Sequence, residues 1–146
     1  MSQAPSLSLR DVANDIANHP DVLPAVAKGF DAVDLRPFFL NPLNFAVGHP
    51  SVGMAMFAPL GDGRFEGHYL FRPGADRRHV LDICRGALTI AFTRYGASAI
   101  VGHVPADNVR ARTITRALGF TRQGTSVSAS GRSCVDYVLE RAQWAI

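Results

Sequence analysis

The spacing of apolar residues alternates between helical and strand periods along the chain, and these changes predict its elements. After Ser6 and Ser8, apolar side chains recur every three or four positions, which predicts a short amphipathic helix ending at the Asn-His-Pro break at 18–20. A second short helix is predicted over about 21–28. Segment 35–43, with two prolines and two phenylalanines, is predicted to be a loop.

From Asn44 the apolar residues alternate with polar ones, which is typical of strands. Three segments follow this pattern, with the sequences NFAVGH, SVGMAMFAPL and RFEGHYLF. The Gly-Asp-Gly at 61–63 predicts a hairpin turn between the second and the third.

A long helix is predicted next, from about Arg77 to Arg94, because Asp76 is a good N-cap and the helical period resumes after it. Its buried face is predicted to consist of Val80, Ile83, Ala87, Ile90 and Ala91.

The strand AIVGHV then leads into a second long helix, for which Asp107 or Asn108 is the predicted N-cap and Gly119 the stop. Its apolar stripe is predicted to be Ala111, Ile114 and Leu118. Two further strands, TRQGTSVSAS and SCVDYVLER, are joined by a turn at 130–132.

This order of elements predicts one domain over 1–146, of the α/β (α+β) class, with a mixed central sheet of about six or seven strands flanked by helices. Composition agrees, because 47% hydrophobic and 18% charged residues suit a packed globule. No apolar run approaches the roughly 20 residues that span a bilayer, and no secretory signal is evident, so a cytoplasmic location is expected. Cys84 and Cys134 lack metal-ligand spacing, so free thiols and no metal site are expected.

The segment VPADNVRARTITRALGF resembles the last conserved block of the GNAT superfamily of acyl-CoA-dependent N-acyltransferases. The likeness lies in Asn108 with Ala111 three residues later, and in Gly119-Phe120 at the helix end. The layout also resembles GNAT-like proteins of bacteriophages and prophages, which share an NHPDV-type N-terminal helix and a V-P-x-x-N turn. The resemblance implies a GNAT fold, in which the strands RFEGHYLF and AIVGHV run parallel and splay apart.

The resemblance further implies acetyl-CoA as co-substrate, with its acyl-pantetheine arm in the splay and its pyrophosphate at the start of the long helix. The residues placed there by this likeness are Phe71, Arg72, Arg77, Arg78, His79, Val104, Asn108 and Arg112. The loop RPGADRRH departs from the family pattern, because it has only Gly74 and bulky residues follow it. Either Arg77 and Arg78 bind the phosphates by charge-assisted hydrogen bonds, or the segment is an exposed basic helix start without a ligand.

Acyl transfer needs a base for the amine, and the candidates are Glu66, His68 and His103. Glu66 and His68 alternate onto the same face of their strand, and His103 is expected on the neighbouring strand. A purely structural role for either histidine is the alternative. The family's usual acid, a tyrosine seven residues after Asn108, is replaced by Thr115, and Tyr69 is expected to face away from His68.

Two functions follow from these observations. One is an N-acetyltransferase acting on an amine of a small molecule or a protein, with an acceptor wall made apolar by Phe38, Phe39 and Phe45. The other is a catalytically degenerate phage or prophage protein of the same fold, which would act in binding or virion assembly and would be virion-associated. A net charge of +3 with dispersed arginines does not favour nucleic acid as a partner. The aromatic loop and Trp144 would suit a homodimer surface.

Overall fold

The computed structural model describes residues 8–27 and 32–144. Six helices and six strands are present in these residues. In chain order they are α1 (Leu9–Ala17), α2 (Leu23–Ala27), α3 (Arg36–Leu40), β1 (Phe45–His49), β2 (Gly53–Gly61), β3 (Arg64–Phe71), α4 (Arg77–Thr93), β4 (Ala99–Pro105), α5 (Val109–Ala117), β5 (Thr121–Val127), β6 (Ser133–Glu140) and α6 (Arg141–Trp144).

The three longest helices begin at side-chain caps. Ser8 and Asp11 form a reciprocal capping box at the start of α1. The carboxylate of Asp76 accepts from the backbone N–H of Arg78 at 2.8 Å, and Asn108 accepts from the N–H of Ala111 at 3.1 Å. These caps satisfy orphan amides and fix where α1, α4 and α5 start.

The strands form one mixed sheet in the order β1-β2-β3-β4-β6-β5. All neighbours are antiparallel except β3 and β4, which run parallel. The β3–β4 pairing covers only three positions and ends at Glu66 opposite Val101. Beyond it β3 continues to Phe71 and β4 to Pro105, so the two strands separate towards their carboxyl ends. This confirms the predicted mixed sheet with a splayed parallel pair, and of the six or seven strands expected it contains six.

Alternating side chains of the sheet supply two cores. One packs β-strand residues such as Phe57 and Ile100 against α4 and α5. The other packs Met54, Met56 and Leu70 against α1, with α3 residues at its edge. Helices therefore cover both faces of the sheet. A site at the splay would have α1 and α3 on one side of the sheet and α4 and α5 on the other.

Several local predictions need correction. Segment 35–43 contains α3, because Pro37 occupies the first turn of a helix, where its missing N–H costs nothing. The buried face of α4 is centred on Cys84 and Leu88, and Ile83 lies beside it, half-buried. The predicted end of α2 at Lys28 and Gly29 lies outside the described residues.

The aromatic residues expected at a dimer surface are used within the chain. Phe38 and Phe39 pack against the α1 core, and Phe45 belongs to the opposite core, where its ring stacks on Phe57. Trp144 packs near Phe92 with ring centroids 6.3 Å apart. Phe45 was expected in the apolar acceptor wall with Phe38, and this expectation is wrong, because Phe45 lies in the core on the opposite face of the sheet.

Candidate functional site at the strand splay

A cleft of about 1190 Å³ opens where β3 and β4 separate. Its walls include β3 from Glu66 to Phe71 and β4 from Ile100 to Pro105. It also contacts residues of α2 and α3 on one face of the sheet and residues of α4 and α5 on the other. The cleft therefore joins the two faces through the gap in the sheet.

Glu66 and His68 project from β3 into the half of the cleft that faces α2 and α3. Glu66 Oε1 lies 3.0 Å from His68 Nε2, and the His68 side chain is about half exposed. The hydrogen bond from His68 lowers the pKa of Glu66, burial opposes that effect, and the charges of His68 and His103 add to the lowering. Glu66 is therefore held as a carboxylate by its histidine neighbours.

His103 occupies the same face from β4 and is held by a residue that the sequence analysis did not identify. Its Nδ1 lies 2.6 Å from Asp136 Oδ1 on β6, and Ser126 Oγ on β5 donates to the same oxygen at 2.7 Å. Burial raises the pKa of Asp136, but the hydrogen bonds from His103 and Ser126 outweigh it and bring the pKa below its usual value. The structure thus brings Glu66, His68 and His103 to one face of the sheet and adds Asp136.

On the opposite face, the half of the cleft that faces α4 and α5 contains Tyr69. As predicted, Tyr69 points away from His68, and its phenol lies beside Thr115 of α5. Burial raises the pKa of Tyr69 well above its usual value, so the hydroxyl is a hydrogen-bond donor at neutral pH. The GNAT family, which the sequence resembles, usually has a tyrosine where this chain has Thr115. Here the phenol of Tyr69 lies next to Thr115.

Four of the eight residues expected to bind the coenzyme line the cleft: Phe71, Arg72, Val104 and Asn108. The guanidinium of Arg72 donates to the carbonyl oxygen of Pro50 at 2.8 and 3.0 Å, which ties the end of β3 to the β1–β2 turn. The side chain of Asn108 caps α5. Arg72 and Asn108 therefore have structural roles as well as their place in the cleft.

The other four do not line the cleft. Arg77, Arg78 and His79 are exposed on the first turn of α4, where the Asp76 carboxylate holds the Arg78 amide. Arg112 turns inward, and its guanidinium contacts Tyr137 Oη at 3.4 Å and the Ala106 carbonyl oxygen at 3.1 Å.

Arg110 lies in the cleft instead, although it was not among the expected coenzyme contacts. Its Nη2 donates to the Ala75 carbonyl oxygen at 2.7 Å and so bridges the start of α5 to the loop before α4. Arg110 and Arg72 therefore provide positive charge at the open end of the splay.

Arg132, on the β5–β6 connection, holds the wall formed by α2. Its Nη1 donates to the carbonyl oxygens of Pro24 and Ala25 at 2.9 and 3.1 Å, and its Nη2 lies 3.0 Å from Asp107. The sequence contains no local signal for this contact, because Arg132 and α2 are more than 100 residues apart.

In residues 8–27 and 32–144, no group of three or more His, Cys, Asp or Glu side chains is arranged to hold a metal ion. Within the same residues no helix has the length and apolar character needed to cross a membrane.

Comparison of the sequence with protein-family models and with curated proteins finds no match. Solved structures do match. A GNAT-family acetyltransferase from Bacillus anthracis aligns with a TM-score of 0.74 at 17% identity, over 94% of this chain and 93% of that one. A structure described as a putative acetyltransferase from T. thermophilus aligns with a TM-score of 0.69 at 20% identity, over 99% and 94%. A mutant spermidine N-acetyltransferase from Vibrio cholerae gives 0.62 at 15% identity, over 75% and 73%. The chain therefore has the fold of the GNAT acetyltransferases.

Proposed function

We propose that this protein is an N-acetyltransferase that moves the acetyl group of acetyl-CoA to an amine of a small molecule or a protein. The observation that carries the proposal is the cleft at the β3–β4 splay, which connects two sides with different chemistry. One side has proton acceptors and the other has a protonated phenol. Direct transfer requires that the amine nitrogen and the thioester carbonyl carbon be held next to each other, and a cleft open to both faces of the sheet allows this.

The side that faces α4 and α5 suits the acyl-pantetheine arm. Gly102 on β4 lines this part of the cleft, and no atom lies within 4 Å of the place where a Cβ would be. Arg72 and Arg110 lie at its open end and favour an anionic phosphate group there. The hydroxyl of Tyr69 is hydrogen-bonded to Thr115, and we propose that it exchanges this bond for one to sulfur as the thiolate leaves.

The side that faces α2 and α3 suits the amine. Its wall is apolar and includes Val22, Ala25, Leu35, Phe38 and Met56. Glu66 and Asp136 supply negative charge nearby, which attracts an ammonium group. We therefore propose an acceptor with an amine at one end and an apolar body.

In the proposed reaction the amine nitrogen gives up a proton to a base of the cluster and bonds to the thioester carbonyl carbon. The carbon–sulfur bond then breaks, the amide forms, and the thiolate is protonated to CoA. A base positioned in this way contributes about 10²- to 10⁴-fold to the rate. Deprotonation and thiolate departure take place on opposite sides of the sheet, which keeps the two proton transfers separate.

The test is an acetyl-transfer assay with acetyl-CoA and a panel of primary amines that differ only in apolar bulk. Release of CoA is followed together with the mass of the acetylated product. The proposal predicts product formation that increases from ethylamine to phenylethylamine. If none of these amines, and no lysine peptide or free peptide N-terminus, is acetylated above the rate without enzyme, the proposal is wrong.

One observation favours the second function, a protein of the same fold that acts by binding or assembly without acetyl-CoA. Asp76 places a carboxylate at the N-terminus of α4, where the resembling family binds pyrophosphate, and a second anion is repelled there. This function predicts that acetyl-CoA at millimolar concentration gives no binding heat, whereas the first predicts binding through the charges of Arg72 and Arg110.

A further inference from the structure

We propose that Asp136, with Ser126, is a positioning residue that fixes the ring of His103 so that its Nε2 is the general base of the transfer. The inference rests on the proposed function for the role of His103 as base. It adds two residues, Asp136 and Ser126, and it selects His103 from three candidates. The geometry that carries it is the pair of short contacts at Asp136 Oδ1, 2.6 Å to His103 Nδ1 and 2.7 Å to Ser126 Oγ.

The sheet itself presents these groups to one another. His103 on β4 lies directly opposite Asp136 on β6 in the antiparallel register, and Gly124 lies opposite Asp136 from β5. A bulge in β5 between Arg122 and Gly124 shifts the register beside Asp136, and Ser126 lies two residues further along. All three side chains are thus fixed by regular strand pairing, which positions a catalytic group more precisely than a loop does.

The protonation state of Asp136 determines the tautomer of His103. An ionised carboxylate can only accept hydrogen bonds, and the lowered pKa of Asp136 keeps it ionised at neutral pH. Nδ1 of His103 must therefore carry the hydrogen, and the neutral ring has its lone pair on Nε2. The His103 side chain is 41% exposed, so the ring is open to the cleft.

Ser126 donates to the carboxylate and not to the imidazole, so it is not a nucleophile activated by His103. Its hydroxyl holds Asp136 Oδ1 in place by a hydrogen bond of 2.7 Å. The same oxygen receives both hydrogen bonds, which fixes the carboxylate while the histidine gains and loses a proton.

The other two candidates are less suitable as the base. Glu66 Oε1 lies 3.0 Å from His68 Nε2, and this contact lowers the pKa of Glu66 and weakens it as a base. The contact between His68 and its carboxylate is longer than the 2.6 Å contact of His103, and only the carboxylate of the His103 pair also accepts from a serine among the described residues. The ionisable groups that share the cleft with His103 are Asp21, Glu66, His68, Tyr69, Arg72, Arg110, Arg132 and Cys134. The charge of His103 contributes to the lowering of the pKa of Glu66.

The proposed step balances without another reagent. The ammonium group of the acceptor first gives one proton to solvent. The Nε2 lone pair of His103 then takes a proton from the amine nitrogen as that nitrogen bonds to the thioester carbon. The carbon–sulfur bond breaks, and the departing thiolate takes up a proton from solvent to become CoA. The imidazolium is stabilised by Asp136, which stays ionised. The proton leaves to solvent through the open side of the cleft after CoA is released.

The first test needs no substrate. Nitrogen-15 NMR of the histidine ring in the full-length protein reports which nitrogen carries the hydrogen. We expect the Nδ1–H tautomer for His103 in the wild-type protein and in Glu66→Gln, and a mixture of tautomers in Asp136→Asn, whose amide can donate to Nδ1. If His103 is the Nε2–H tautomer in the wild type, or if Asp136→Asn leaves the tautomer unchanged, the positioning role is refuted.

The second test is kinetic. Asp136→Asn is expected to lower kcat at least about tenfold with an unchanged KM for acetyl-CoA, because the ring of His103 is no longer held in the tautomer that has its lone pair on Nε2. Ser126→Ala, which keeps the carboxylate, is expected to have a smaller effect of the same kind, and Asp136→Glu to restore part of the rate. A wild-type kcat in Asp136→Asn, or a loss that appears in the KM for acetyl-CoA and not in kcat, would overturn the proposal. If the wild-type protein transfers no acetyl group, the proposed function and the base role are wrong, whereas the NMR result still decides whether Asp136 orients the ring.

Discussion

Arg132 is predicted to stabilise the wall of the acceptor side, and its removal gives a sharp test of how the cleft is built. Its side chain is only 18% exposed, and it makes hydrogen bonds to the carbonyl oxygens of Pro24 and Ala25. Hydrogen bonds from a charged group contribute about 1.5 kcal/mol each at the lower end. Two of them give about 3 kcal/mol.

Two corrections apply to that sum. Nε of Arg132 is buried without a hydrogen-bond partner among the described residues, and an unsatisfied buried donor costs about 1 kcal/mol, which Arg132→Ala recovers. The contact with the 60% exposed Asp107 contributes little, because solvent screens it. Arg132→Ala is therefore expected to lower the free energy of unfolding by about 2 kcal/mol. For a domain of this size, that corresponds to a fall in Tm of about 4–8 °C.

Urea unfolding and thermal unfolding followed by circular dichroism measure this change, and hydrogen exchange over residues 21–27 shows whether α2 is loosened. Arg132→Met keeps most of the aliphatic stem and separates the hydrogen bonds from packing. Arg36→Ala, which removes an exposed ion pair with Asp34, is the control and should leave Tm unchanged. The reasoning is refuted if Arg132→Ala unfolds at the wild-type temperature and exchange in α2 does not accelerate.

Three further predictions concern single groups. Asn108→Ala removes the α5 cap and should cost about 1 kcal/mol of stability in urea unfolding, whereas Asn108→Asp should retain most of it. Folding lowers the pKa values of Glu66 and Asp136. The two carboxylates therefore stabilise the folded protein at any pH above their pKa in the unfolded chain, and this stabilisation is lost as the pH falls to their pKa in the folded protein. The urea midpoint of Glu66→Gln/Asp136→Asn should therefore fall less than that of the wild type between pH 5 and pH 3, and an equal fall would contradict the assignment. Burial raises the pKa of Cys84 to about 12, so its thiol should resist iodoacetamide at pH 8 in the native state and react in guanidinium, as tryptic mass mapping can establish.

Local chemistry made much of the fold predictable from the sequence. The helix starts follow from short polar side chains whose hydrogen bonds lie within three residues, as at Ser8 and Asp76. The two-residue period located β1, β2 and β3. The prediction failed where one residue type is compatible with two structures. Proline breaks a helix at most positions, but Pro37 fits the first turn of α3.

The candidate site was only partly predictable, because its contacts join distant segments. Glu66 and His68 share a face by simple alternation, which the sequence shows. His103 and Asp136 are 33 residues apart in the sequence, and their contact depends on the register between β4 and β6. No local sequence pattern encodes this register. The inward turn of Arg112 likewise depends on Tyr137 from another strand.

The central claim is that the β3–β4 splay holds acetyl-CoA, and calorimetric titration of the wild-type protein and Gly102→Val with acetyl-CoA tests it most directly. The space around the Gly102 Cβ position is open and its backbone is that of a strand, so valine should fold normally while filling the arm's path. Gly86→Ala on the exposed side of α4 is the matched control. The account predicts binding to the wild type and the control and at least about tenfold weaker binding, or about 1.4 kcal/mol, for Gly102→Val. Equal binding by all three proteins, or no binding by the wild type at millimolar acetyl-CoA, would contradict it.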